Sequence, residues 1–247
     1  MRPGSDTVVA PPFPPGLEWA NVASLRMDKQ IGRPVLVDFW DFCRPNSLRA
    51  LPYVKAWHER YAPIGLRIVS VHCSGFAPSA EPSAVRAAVE RLGIEHAVAI
   101  DTGFELWRDY GNSGWPTRYL WDQHGRLAYY HFGEGAYEET ELEIQRLLDY
   151  RGETLAPLRP EDAPGAAVVP QSPDRSGAWS GEYEAGGVWA VLDGSGTIVV
   201  NGRELRVTHA GAYALVEHER HSRGVLELDV ANGVRCHAVC FTPGLAS

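Results

Sequence analysis

The chain has 247 residues, 45% of them hydrophobic and 22% charged, with a formal net charge of -8. This is the make-up of a globular chain of one or two domains, long enough to bury a good core. An acidic balance with no basic stripe excludes nucleic acid and anionic membrane as expected partners, because both need a basic face.

Residues 1–16 carry Pro11, Pro12, Pro14 and Pro15 and are predicted to be irregular. No apolar run there suits a signal peptide, and none in the chain reaches the roughly 18 residues of a membrane helix. A cytoplasmic protein with no membrane partner is therefore expected. Gly32-Arg33-Pro34 punctuates the chain before Val35 to Phe39, whose short apolar run suits a central parallel strand. Leu48, Leu51, Val54 and Trp57 then recur at helical spacing.

The turn between this strand and helix lies at the carboxyl edge of the sheet, where backbone amides and the positive end of the helix dipole converge. Cys43 sits there beside Arg44, and both influences bias a thiol towards thiolate. A lone cysteine is equally read as a buried spectator, since reactivity depends on exposure. Both readings stay open.

Leu66 to His72 is predicted as a second buried parallel strand, reached by a right-handed crossover. Glu81-Pro82-Ser83 opens a helix with Val85, Ala88, Val89 and Leu92 on one face and Gly93 at its end. Ala97 to Ile100 is a short strand and Glu105 to Tyr110 a short helix. Thr117 to Asp122 and Arg126 to Phe132 form a hairpin through Gln123-His124-Gly125, and a last helix ends near Leu148.

Residues 151–176 contain five prolines and are predicted as a linker. Residues 177–247 follow as a small all-β, sandwich-like domain, with apolar runs at Val188 to Leu192, Thr197 to Val200, Leu205 to Thr208, Ala212 to Val216, Val225 to Val230 and Val234 to Thr242. Asn201-Gly202 is its hairpin signal. His209, His218, His221 and His237 match no zinc spacing, so no metal is expected, and Glu217 to His221 is predicted as a solvated turn. Cys43, Cys73, Cys236 and Cys240 are expected as reduced thiols. Cys236 and Cys240 fall on one face of a strand about 13 Å apart, too far to pair, and read as core.

Val37-Asp38-Phe39-Trp40 before the turn, Leu48-Arg49-Ala50-Leu51-Pro52 after it, Val71 to Phe76 and the Trp115-Pro116-Thr117 loop together resemble the thioredoxin superfamily, specifically its TlpA- and DipZ-type thiol-disulfide oxidoreductases. The resemblance covers about residues 17–150. It implies an α/β thioredoxin-like fold, a mixed sheet flanked by helices, with no cofactor and with protein thiols as partners. It also implies a cis bond between Trp115 and Pro116, with the Trp115 ring beside Cys43.

The family carries Cys-x-x-Cys in the turn. In a gapless alignment those cysteines fall on Arg44 and Ser47; in a register one residue shorter, Cys43 is the nucleophile and Asn46 replaces its partner. The dithiol is broken in both. An intramolecular cycle needs a second thiol to release the mixed disulfide. Asp38 matches the family's buried acid, which moves the proton of the second cysteine, and without that cysteine keeps a hydrogen-bonding role. Cys73 takes a family threonine position on the same sheet edge as Cys43, either free or paired with it. The peroxiredoxin pattern of proline, threonine and cysteine is missing around Cys43. The carboxyl-terminal module resembles that of DipZ-like proteins, of carbohydrate-binding-module type, and fold likeness alone licenses no sugar ligand.

Two readings follow. In one, Cys43 acts as a single thiol. In the other, a redox-inactive scaffold binds a peptide or small molecule on Trp40, Phe42, Trp115 and Pro116, with the β domain as a second contact or an oligomer interface.

Overall fold

A computed structural model describes residues 8–246, so the first seven residues of the irregular stretch expected over 1–16 lie outside it. The chain divides into two compact units. The first runs through Asp41, then Asn46–Ser74 and Ala80–Ala156; the second comprises Phe42–Pro45, Gly75–Ser79 and everything from Pro157 on.

The first unit is built on β1 (Glu18–Ala20), β2 (Val35–Trp40), α1 (Pro45–Tyr61), β3 (Arg67–His72), α2 (Pro82–Arg91), β4 (Ala97–Ile100), α3 (Glu105–Asp109), β5 (Thr117–Trp121), β6 (Leu127–Phe132) and α4 (Tyr137–Leu147). The strands form one mixed sheet in the order β1-β4-β3-β2-β5-β6. β2, β3 and β4 are parallel, while β5, β6 and β1 join antiparallel. All six residues of β2 are buried, as a strand covered on both faces requires. Successive side chains alternate across the sheet. Val35, Val37 and Phe39 therefore pack with Val69, Val71 and Trp121, while Leu36 packs with Val54 and Trp57 of α1 and Ile144 of α4. That alternation places Asp38 on the same face as Leu36.

The second unit contains β7 (Val168–Val169), β8 (Arg175–Ser176), β9 (Gly181–Gly194), β10 (Gly196–Val200), β11 (Arg203–Val207), β12 (Gly211–Leu226), β13 (Leu228–Val230), β14 (Val234–Thr242) and β15 (Gly244–Leu245). They make sheets ordered β12-β9-β14-β8, β11-β10-β13 and β15-β7. Ala190, Leu192, Ile198, Val207, Leu226 and Val239 are among its buried core. Asn201 and Gly202 both take positive φ, as a tight hairpin turn between β10 and β11 demands.

Several details differ from the sequence expectation. β9 and β12 run well beyond their apolar stretches, because backbone pairing carries half-exposed polar residues along with it. Glu217 to His221 is not a turn between strands but part of β12, where the register with β9 shifts between Glu217 and Ser222. Val225 to Val230 is broken at Glu227 between β12 and β13. Another shift, between Cys236 and Ala238, puts Cys236 opposite Leu192 and Cys240 opposite Trp189. Leu192 and Trp189 are an odd number of residues apart, so the two cysteines face opposite sides of the sheet rather than one. The proline-rich residues from Pro157 on group with this unit, since β7 pairs with β15 and β8 with β14.

Candidate functional site

β2 ends at Trp40 and α1 begins at Pro45, so Asp41 to Arg44 make the connection. Proline suits the first helical position, where its missing N–H costs no hydrogen bond. The Asp41 N–H donates to Ser47 Oγ at 3.2 Å, tying the strand end to the first turn of the helix. Asp41 Oδ1 lies 3.4 Å from His72 Nε2, both side chains being buried. Within the second unit, the Phe42 carbonyl accepts a hydrogen bond from the Ala212 N–H at 3.3 Å, and the Arg44 guanidinium lies 4.5 Å from the centre of the Phe76 ring. Cys43 is 0% exposed.

None of the four cysteines is in a disulfide, Cys43 and Cys73 included. The Cys73 N–H donates to the Trp40 carbonyl at 3.2 Å, and its thiol donates to Asp101 Oδ2 at 3.4 Å. Burial, then the Asp101 carboxylate, push the Cys73 thiol far above its ordinary pKa. The same carboxylate accepts from the N–H groups of Glu105 and Trp107, at 2.8 and 2.9 Å, and so anchors the start of α3. The Trp115–Pro116 bond is cis. Trp115 Nε1 donates to the Cys73 carbonyl at 3.0 Å, and its ring packs against Trp107 at 4.4 Å.

The four residues expected to form a binding surface do not form one. Trp40 and Phe42 are each 1% exposed and Pro116 is buried, so none of the three offers a surface to a ligand. Trp115 alone is partly exposed.

Behind the turn lies a buried polar cluster. Asp38 pairs in register with Arg118 on β5. Asp38 Oδ2 accepts from Ser70 Oγ at 3.3 Å, and the same hydroxyl is 2.8 Å from His96 Nε2. Burial raises the Asp38 carboxyl to about 7, with Arg118 and Ser70 pulling the other way. Arg118 is fully buried. Its Nη2 donates to the Gly135 carbonyl, and its guanidinium lies 4.9 Å from the centre of the Tyr137 ring and 5.7 Å from that of Trp57.

No family model matches the chain. Protein DipZ of Mycobacterium bovis is 34% identical over 164 residues, which are 64% of this chain and 23% of DipZ. The thiol-disulfide oxidoreductase ResA of Halalkalibacterium halodurans is 27% identical over 133 residues, 53% of this chain and 72% of ResA. A solved thiol-disulfide isomerase from Corynebacterium glutamicum matches 57% of this chain and 98% of its own, with a TM-score of 0.51 at 22% identity.

The chain carries a thioredoxin-like fold. Its homologues are DipZ- and ResA-type proteins, and it spans about a quarter of the length of DipZ, 23%. A further β-rich region follows the thioredoxin-like part.

Sequence reasoning singled out Cys43, Asp38, Cys73, Trp115 and Pro116 in this thioredoxin-like unit and its turn. It missed Asp41, His72, Ser70, His96 and Arg118. The available signal was a charged residue, Arg118, inside an otherwise apolar strand next to the one that holds Asp38, since a buried charge needs a partner.

Proposed function

We propose that this is a thioredoxin-fold protein of the thiol-disulfide oxidoreductase kind with a degenerate centre, whose thiol chemistry is confined to Cys43 as a single sulfur. One observation carries the reading. Ser47, the residue that replaces the second cysteine in the gapless alignment, is buried with its hydroxyl accepting from the Asp41 N–H, and no thiol stands there.

In the single-thiol cycle, the Cys43 thiolate attacks a disulfide; one substrate sulfur joins Cys43 and the other leaves as thiolate. An external thiolate then attacks the substrate sulfur of the mixed disulfide, takes that half away as a new disulfide and returns Cys43 as thiolate. Protein thiols are the partner class, in a reducing cytoplasmic setting.

The test combines two measurements on the full chain. Dithiothreitol-driven insulin reduction should stay at background, while glutathione disulfide should form a one-to-one adduct that Cys43→Ser abolishes. Insulin turnover like that of a thioredoxin overturns the proposal.

Burial of Cys43 favours a second reading, a redox-inactive scaffold, because reactive cysteines are partly exposed and buried ones inert. Alkylation against pH separates the two. A Cys43 that stays unmodified at every pH until the chain unfolds selects the scaffold.

A further inference from the structure

Beside Lys55, His58 and Glu59 of α1 there is a cavity of about 320 Å³, lined also by Gly93, Glu95 and His96. His96 is 2% exposed and its ring lies edge-on to His58 at 5.4 Å. Its two nitrogens have different surroundings. Nε2 meets Ser70 Oγ, which in turn meets Asp38 Oδ2; Nδ1 has no hydrogen-bond partner among the described residues. A buried nitrogen that lacks a partner calls for an explanation, and this one belongs to a residue that lines a polar cavity.

We propose that Asp38 exchanges its proton with the cavity through Ser70 and His96, with His96 Nδ1 as the port. One serine hydrogen sits between an acid and an imidazole, so two arrangements satisfy every bond. With Asp38 ionised, Ser70 donates to Asp38 and His96 Nε2–H donates to Ser70, leaving Nδ1 bare. A proton added at Nδ1 releases the Nε2 proton to Ser70, whose own hydrogen passes to Asp38. The result is neutral Asp38 donating to Ser70, Ser70 donating to Nε2, and a proton on Nδ1. One proton has been taken up, and the imidazole is neutral at both ends of the step.

Burial holds the His96 pKa down to about 3, reinforced by His58 and Lys55, which keeps the imidazolium a transit state rather than a resting one. The other charged groups facing the path are Arg118 beside Asp38, Glu59 and Glu95 at the cavity, and Arg67 near His58. His58 is itself pushed towards the neutral form by burial. The path is independent of whether Cys43 reacts.

Nitrogen-15 NMR of the histidine rings in the full chain tests this, alongside carbon-13 NMR of the Asp38 carboxyl. As pH falls, His96 should pass from the Nε2–H to the Nδ1–H tautomer without forming imidazolium, with the same midpoint as Asp38. Ser70→Ala should fix the tautomer across that range, Asp38→Asn should do the same, and Ser70→Thr, which restores the hydroxyl, should restore the switch. A wild-type His96 that keeps one tautomer while Asp38 titrates, or a switch that survives Asp38→Asn, overturns the proposal.

Discussion

Asp38→Asn should leave the protein's stability unchanged in acid and raise it in mild alkali. Asp38 is 2% exposed, and burial lifts its carboxyl from 3.8 to about 7 against the pull of Arg118 and Ser70. Below the lower value the carboxyl is protonated in native and unfolded chains alike. Between the two values the unfolded chain releases the proton and the native chain keeps it, so stability falls as pH rises. Above the upper value both are ionised and the loss is complete. About three pH units at roughly 1.4 kcal/mol each give a difference of about 4 kcal/mol. Asn keeps the shape of the side chain and has nothing to ionise. The variant should match wild type near pH 4 and exceed it by about 4 kcal/mol near pH 8, read from urea midpoints at constant m. Titration of His58 and His131 is common to both chains and cancels in the difference. A wild type that gains on the variant as pH rises would mean that Asp38 is ionised and held by Arg118, and would refute the reasoning.

Glu141→Ala should cost about 3–5 kcal/mol, because its carboxylate takes hydrogen bonds from Trp57 Nε1, Arg60 Nη1, Tyr61 Oη and the Leu155 N–H at 2.5 to 3.2 Å, and Trp57 and Tyr61 have no water to turn to. A urea midpoint shift worth under about 1 kcal/mol would show that the donors find other partners. Gly186→Ala should disrupt the pairing around β9, since a Cβ there would lie 2.2 Å from the Pro243 carbonyl oxygen and 2.6 Å from the Gly244 Cα, neither of which is a flexible side-chain end. A loss of at least about 2 kcal/mol is expected, and an unshifted unfolding curve for the β-rich unit would contradict it.

What could be read from the sequence was what is local. The apolar run of β2, the helical spacing from Leu48 to Trp57 and the Asn201-Gly202 turn each state their geometry within a few residues, and the structure builds a strand, a helix and a hairpin turn on them. The β-rich unit was less legible because its three register shifts, two between β12 and β9 and one between β14 and β9, leave no compositional mark. One extra residue at His237 changes which face Cys240 occupies, although the alternation of the sequence around it looks unbroken. The grouping of Phe42–Pro45 with the carboxyl-terminal unit was likewise hidden, because nothing in those four residues names a partner as distant as Ala212.

The candidate site shows the same division, with a chemical reason. Asp38 could be picked out because an acid in an apolar strand is conspicuous, but what it does is set by Ser70, His96 and Arg118, which come from three other segments. Ser70 and His96 are unremarkable where they stand in the sequence, and Arg118 stands out only as a charge in an apolar strand. Joined, they put one cation, one acid and a hydroxyl-imidazole link in a space closed to solvent, where the burial cost of charge outweighs the attraction between Asp38 and Arg118 and leaves the acid neutral up to about 7. An acid so poised changes charge near neutral pH only if a proton can reach it. The route therefore matters as much as the pKa, and it runs through Ser70, whether or not a thiol at the turn makes use of it.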